Sequence, residues 1–439
     1  MKKLLLLGVA LVLTGCGETA TLRPEDGMGV NPKLPKPVKT LVPTVKIAEV
    51  AGWTIDQAPT PAPGLQVEAF ARNLTHPRWL HVLPNGDVLV AESDAPPKPK
   101  EDNSIRGFFM KMLMKKAGSN RGSPNRITLL RDANHDGAAE LQVVFLQNLN
   151  SPFGMALIGD QLYVANTDSL VRYTYHEGDT AITGPATKVA DLPGGPINHH
   201  WTKGLIASKD GGKLYVSVGS NSNVAENGMA AESNRAAILE IDAATGATRL
   251  FASGLRNPVG MAWNPETGAL WTVVNERDEI GSDLVPDYMT SVKPGGFYGW
   301  PYSYYGQIVD TRVKPQDPAK VASAIKPDFA LGAHTASLGL TFYTGGLLSE
   351  GYKNGAFVGQ HGSWNRNPPS GYKVIFVPFS GGQPSGMPQD VLTGFLGPDG
   401  KARGRPVGVA QDIDGALLVA DDAGNTVWRV TPDTQLRVR

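Results

Sequence analysis

Pro258-Val259-Gly260-Met261-Ala262 followed by Gly268-Ala269-Leu270-Trp271, and Pro406-Val407-Gly408-Val409-Ala410 followed by Asp414-Gly415-Ala416-Leu417-Leu418-Val419, are two copies of one theme. A proline-led apolar stretch runs into a polar turn, and an alternating strand follows. The small residues between are those a tight hairpin requires. The theme recurs at Pro77-Arg78-Trp79-Leu80 with Asn85-Gly86-Asp87-Val88-Leu89-Val90, and at Pro152-Phe153-Gly154-Met155-Ala156 with Leu162-Tyr163-Val164. A further copy is Trp201-Thr202-Lys203-Gly204-Leu205 with Gly211-Gly212-Lys213-Leu214-Tyr215-Val216. A looser one is Ser337-Leu338-Gly339-Leu340 with Gly355-Ala356-Phe357-Val358. Spacings of roughly 50–80 residues match a propeller blade with loop insertions. Six copies predict an all-β fold, a six-bladed β-propeller around a central channel, over residues 65–439. A lone sheet cannot bury both faces, so the blades must stack as one domain. The alternative, a tandem of β-sandwiches, is disfavoured by the even recurrence.

Composition agrees. Of 439 residues, 41% are hydrophobic, and 51 glycines with 34 prolines supply turns without the low apolar content of disorder. Lysine plus arginine and aspartate plus glutamate number 41 each, which leaves no electrostatic footprint for nucleic acid.

Residues 1–16 read as a lipoprotein signal peptide. Met1-Lys2-Lys3 is positive, Leu4 to Leu13 is an apolar run too short to span a bilayer, and Leu13-Thr14-Gly15-Cys16 places small residues before a cysteine. Lipidation at Cys16 predicts an exported protein, periplasmic or at the cell surface, held to a membrane by its lipid. Cys16 is the only cysteine, which excludes an internal disulfide or a thiolate metal site. Residues 17–64 hold eight prolines and little periodicity, and are expected to form an extended tether. An insertion at about 97–124 carries Ile105, Phe108, Phe109 and Met112 at helical spacing within the basic stretch Ser104 to Lys116. This amphipathic helix either packs on the propeller or docks on a membrane or partner.

Chemistry concentrates in the segments leading into the copies. His200, in Asn198-His199-His200-Trp201, lies where a propeller loop opens at the channel mouth and could act as a general base; a structural histidine is the plainer reading. Arg78, Arg256 with Asn257, and Arg405 occupy comparable positions. Converging guanidiniums suit a carboxylate-bearing ligand, although each could equally form a salt bridge between blades. Asp132-Ala133-Asn134-His135-Asp136-Gly137 begins like a calcium-binding loop, but the twelfth position is Val143, so it is read as a blade turn, with a weak calcium site as the alternative.

Taken in order, His199-His200-Trp201-Thr202-Lys203, Leu214 to Asn223, Gly254-Leu255-Arg256-Asn257-Pro258, Asn275-Glu276-Arg277-Asp278, Tyr298-Gly299-Trp300-Pro301 and His361-Gly362-Ser363-Trp364-Asn365-Arg366 resemble the soluble pyrroloquinoline quinone (PQQ)-dependent glucose/sorbosone dehydrogenase family, most closely its sorbosone-dehydrogenase-like branch. The likeness covers roughly residues 65–432. It implies a funnel holding PQQ with a bridging calcium ion, a histidine base matched by His200, and an arginine beside the quinone oxygens matched by Arg256, with Asn257 as its neighbour. It places the calcium-holding backbone carbonyls near Glu276 and Arg277, where the glucose enzymes have Gly-Pro. Those enzymes also carry a histidine-orienting aspartate where this chain has Ser220, which leaves Asn221 or Asn223 to orient His200, or nothing. Arg78, His361, Arg366, Lys373 and Arg405 are the candidates for the cofactor's carboxylates. The implied substrate is a sugar or polyol, with an unknown electron acceptor. Two readings compete: a calcium-dependent, lactonase-like propeller hydrolase, and a non-catalytic propeller that binds a partner.

Overall fold

The computed structural model describes residues 17–40, 44–97 and 122–433. It is a six-bladed β-propeller. Each of the six sequence copies forms the first two strands of one blade. The innermost strands are Pro77–Val82, Met155–Ile158, Leu205–Ala207, Pro258–Trp263, Ser337–Phe342 and Pro406–Gln411. They contact one another in that order and close into a ring. Hairpins carry each into an antiparallel second strand; Gly86 and Gly415 take up the left-handed backbone (φ 90° and 92°) that two of these turns require.

The recurring glycine has a physical reason. Gly154, Gly204, Gly260, Gly339 and Gly408 each lie against the inner strand of the next blade. A Cβ on Gly204 would come within 2.2 Å of the Val259 carbonyl oxygen, and one on Gly339 within 2.1 Å of that of Val407. Blade one has Trp79 at the corresponding place, and its ring packs on Phe153 of blade two with centroids 4.8 Å apart. Further out, strand alternation sends apolar side chains to both faces of every sheet. The buried clusters accordingly lie one at each of the six blade interfaces; Trp79, Ile127, Phe153 and Leu162 sit between blades one and two, and Phe70, Val90, Leu130 and Val427 between six and one.

Blade six is built from both ends of the chain: Leu65–Ala71 pairs with Thr426–Pro432 as its outermost strand. The stretch expected to be an extended tether is fastened down. Its described residues lie on the propeller and include a 3-10 turn at Pro24–Gly27. Met28–Gly29 adds a strand to blade four, and Thr60–Pro61 adds one to blade five. Trp53 stands edge-on to Phe395 and Trp428 and donates Nε1–H to Asp421. The basic helix expected at 104–116, with most of its insertion, lies outside the described residues, as do Cys16 and the signal segment. No helix among the described residues is long and apolar enough to cross a membrane.

Candidate active site

In every blade, the segment before the innermost strand and the loop after the second strand meet at one end of the ring. His200 and Ser220 meet there in blade three. His200 Nδ1 lies 2.9 Å from the Ser220 carbonyl oxygen and 3.0 Å from Ser220 Oγ. A carbonyl only accepts, and Oγ already donates to the Ser222 carbonyl, so Nδ1 carries the proton and Nε2 the lone pair. Burial pushes the imidazole well below its ordinary pKa, and neighbouring Arg256 and His199 push it further. Ser220 thus orients the imidazole, where the sequence left Asn221, Asn223 or no group for that task. Asn221 instead donates to the Ile197 carbonyl and Asn223 accepts from Arg256.

Gly219 permits this arrangement. A Cβ there would meet Asn257 Oδ1 at 2.3 Å and His200 Cβ at 2.4 Å. Gly219→Ala is therefore expected to push the imidazole aside and to lower turnover on the order of 10²-fold with the fold retained, since a shift of about 1 Å at a reacting group has that cost. Circular dichroism and a turnover assay on the same sample check this, and full activity would show that the close approach is immaterial.

Arg256 corresponds to His200 one blade on: each stands four residues before its inner-strand glycine, Gly260 or Gly204. Its five N–H groups are all engaged, by the Asn223 carbonyl and Oδ1, the Asn275 and Glu276 carbonyls, and Asp278 Oδ2. The side chain is 1% exposed. Asp278 in turn accepts from Asn365 and lies 3.5 Å from His334. Burial would raise the Asp278 carboxyl, but Arg256, His334 and Asn365 together hold it below the usual carboxylate range. Arg256 therefore braces the mouth loops of blades three and four and sets the field at His200; it has no donor left for a ligand carboxylate.

The open guanidiniums are elsewhere. Asp422 of blade six binds Arg78 Nη1 and His361 Nε2, with His76 at 3.8 Å. Burial opposes its charge, but His361, His76 and Arg78 hold it well below the carboxylate range, while burial pushes His361 down to about 4. Arg405 reaches the His361 and Gly362 carbonyls through Nη1 only, at 3.4 Å, and lies over the Tyr372 ring. Its Nε and Nη2, with Arg78 Nε and Asn257 Oδ1, are buried without a partner among the described residues. Arg78 also stacks on Trp201, next to His200 in sequence.

Several expected assignments are corrected. Arg366 is held by the Ser282 and Pro368 carbonyls and Asp283 in a buried joint between the blade-four and blade-five loops. Lys373 pairs with Asp390 on the outer side of blade five. The Glu276 carbonyl accepts from Arg256 at 2.6 Å, and Arg277 points its guanidinium at Asp310, 3.0 Å away. The three arginines do not enter in one register: Arg256 is four, Arg405 three and Arg78 one residue ahead of the inner-strand glycine position. Lys203, passed over in the sequence, takes the register of Arg78 two blades on. It is fully buried, donates to the Trp201 carbonyl, and burial with Arg235 nearby pushes its ammonium well below the usual range. A charged residue at a position that is apolar in four of the six copies (Phe153, Val259, Leu338 and Val407) was the available signal. Asp132, Asp136 and Glu140 cluster in the turn between strands three and four of blade one, their carboxylates on loop amides, at the end of the ring away from His200.

The model of a family described as TrAA12-like matches residues 122–295 and 306–433. An uncharacterised protein of Borreliella burgdorferi is 29% identical over 65% of this chain and 76% of its own length. A pyrroloquinoline quinone-dependent sugar dehydrogenase of Hypocrea jecorina is 23% identical over 84% of this chain and 89% of its own. The calcium structure of a Trichoderma reesei protein of carbohydrate-active enzyme family AA12 superposes with a TM-score of 0.68 at 21% identity, covering 89% of this chain and 99% of that one.

Proposed function

The chain belongs to the TrAA12-like family, and on that footing we propose that it is a PQQ-dependent sugar dehydrogenase, oxidising an aldose or a sorbosone-like alcohol or aldehyde hydrate. The observation that carries the reading is the neutral imidazole of His200, oriented on Ser220 at the same mouth as partnerless guanidinium donors. PQQ bears three carboxylates, and the open donors of Arg405 and Arg78 fit such a polyanion. His361 shares Asp422 with Arg78 and accepts from Arg405 through its carbonyl. When bound, PQQ supplies the two-electron acceptor that no side chain can provide.

His200 takes the substrate hydroxyl proton at Nε2. The Ser220 carbonyl and Oγ, facing Nδ1–H, stabilise the imidazolium that forms. Burial, with Arg256 and His199 beside it, keeps the resting imidazole neutral. Calcium is proposed as the quinone's companion, as the calcium structure of the Trichoderma protein suggests, but the expected carbonyl pair does not fit it: a cation at Glu276 would face the Arg256 guanidinium. The hydrolase reading is disfavoured because the one cluster of three acidic side chains within reach of a common ion, among the described residues, lies at the opposite end of the ring. We further propose that Cys16 is lipidated and that the protein is exported to the periplasm or cell surface.

Titrating PQQ into apo-protein with and without calcium, then adding a panel of aldoses and polyols with a reducible dye, tests the function. A tight coloured complex that bleaches with one of them is expected; no complex under either condition overturns the reading. Arg405→Ala is expected to weaken PQQ binding about 10–100-fold, the range for a lost hydrogen bond to a charged group. Lys373→Ala should leave it unchanged, because that lysine serves Asp390.

A further inference from the structure

Glu18 is anchored on the blade-four loop that also carries Glu276 and Asp278. Its Oε2 accepts from the Ser282 amide at 2.5 Å and its carbonyl from Ser282 Oγ at 3.0 Å. Thr21 binds Asp283, Ala20 donates to the Asn367 carbonyl, and Lys46 to the Trp364 carbonyl. The first described residues are therefore fastened to the rim of the mouth, over the loops that brace Arg256. Cys16 stands two residues before Glu18, so a lipid on it is tied to this rim by at most ~7.6 Å of backbone. Acyl chains on so short a lead can enter a bilayer only if the rim itself meets the surface.

The rim has the matching chemistry. The N-terminal stretch crosses it with exposed Lys36 and Lys39 and exposed Val38 and Val45. Trp364 is exposed at the same place, and with Val38, Lys39 and Glu18 it lines a cleft of about 250 Å³. On the blade-three loops beside His200, Ile197 and Met229 also stand exposed. Lysines attract anionic headgroups, and tryptophan and valine suit the interfacial layer beneath them.

Resting on the lipidation of Cys16, we propose that the funnel mouth faces the membrane, seated on an anionic lipid surface through the N-terminal stretch and the mouth loops. The propeller then does not hang free on a tether, and its substrate and electron acceptor reach the site along the lipid surface.

The lipidated full chain, purified and reconstituted into phosphatidylglycerol-rich vesicles, provides the test. Cys16 is the only native cysteine and its sulfur is blocked by lipid, so one introduced cysteine can be labelled alone. Met229→Cys places a fluorophore on a mouth loop, and Ile413→Cys places one on a hairpin at the opposite end; both positions are exposed. Headgroup-borne quencher lipids should quench the first several-fold more than the second. Lys36→Glu with Lys39→Glu should narrow that difference. Equal quenching, or stronger quenching at 413, overturns the orientation. Failure of the protein to float with vesicles removes the anchor and the orientation together; dye reduction in detergent would still decide the catalytic reading separately.

Discussion

His200→Ala lowers turnover by about 10²–10⁴-fold, the usual contribution of a positioned general base, while the propeller stays folded and PQQ still binds. The expectation follows from one hydrogen-bond pattern. Ser220 fixes the proton on Nδ1, which leaves the lone pair of Nε2 for the substrate. Because the imidazole is held well below its ordinary pKa by burial, Arg256 and His199, it is a base at neutral pH, and its acid limb should lie well below pH 6.5. His199 is exposed and stands edge-on to His200 with ring centroids 4.8 Å apart. His199→Ala removes a neighbour that disfavours charge on His200, so it should shift the acid limb upward and change turnover only a few-fold. Ser220→Ala retains the carbonyl and should fall between the two. Pre-steady-state dye reduction across pH, on variants shown to carry PQQ, checks all three. Abolished turnover in His199→Ala with near-normal His200→Ala would transfer the base to His199; near-normal rates in both would place proton abstraction on another group.

The fold was legible because its constraint is local and repeated. Five of the six blades carry a residue without a side chain where the inner strand meets the next one, and a hairpin follows in every blade, so the theme recurs: as Pro-x-Gly in blades two, four and six and as x-x-Gly in blades three and five. His200 and Asn257 stand just ahead of that theme, so their position at the mouth follows from the same repeat. What proline-rich composition hides is docking: residues 17–64 contact blades far away in sequence through backbone groups such as Ala20 N–H and Met28, which leave no mark in side-chain pattern. Arg366 and Lys373 were misread because a motif segment says which residues are near a mouth but not which way they turn. One turns into the joint with Asp283 and the other outward to Asp390. For Arg256 the sequence points to the mouth but not to its partners, because whether its five donors are free or engaged depends on acceptors at Asn223, Asn275, Glu276 and Asp278. Ser220 was discounted for lacking a carboxylate, although a backbone carbonyl orients an imidazole equally well and every residue has one.

Asp278→Ala should cost about 3–5 kcal/mol of stability, the range for leaving one member of a buried ion pair alone. Its carboxylate accepts from Arg256 at 2.9 Å and from Asn365 at 2.7 Å, with Arg256 almost wholly enclosed. Alanine leaves that guanidinium one anion short in a place water does not reach, and it frees Asn365 and His334 on the blade-five side. The pH dependence has a definite sign. A carboxyl held below its ordinary range in the folded chain adds stability that is present above the unfolded value of about 3.9 and is lost as pH falls through and below it. The gap between wild type and Asp278→Ala in denaturant midpoint should therefore be full at pH 7 and shrink below about pH 4. Asp278→Asn, which keeps an acceptor for Asn365 or Arg256 but not the charge, should lie between. Arg256→Met with Asp278→Leu removes both charges at similar volume, which is often near-neutral for stability. That double variant should recover much of the lost stability while turnover stays low, because nothing then braces the mouth loops or sets the field at His200. A double variant as unstable as Asp278→Ala would show that the loss came from packing and not from an uncompensated charge. A double variant with wild-type turnover would remove the pair from the site altogether.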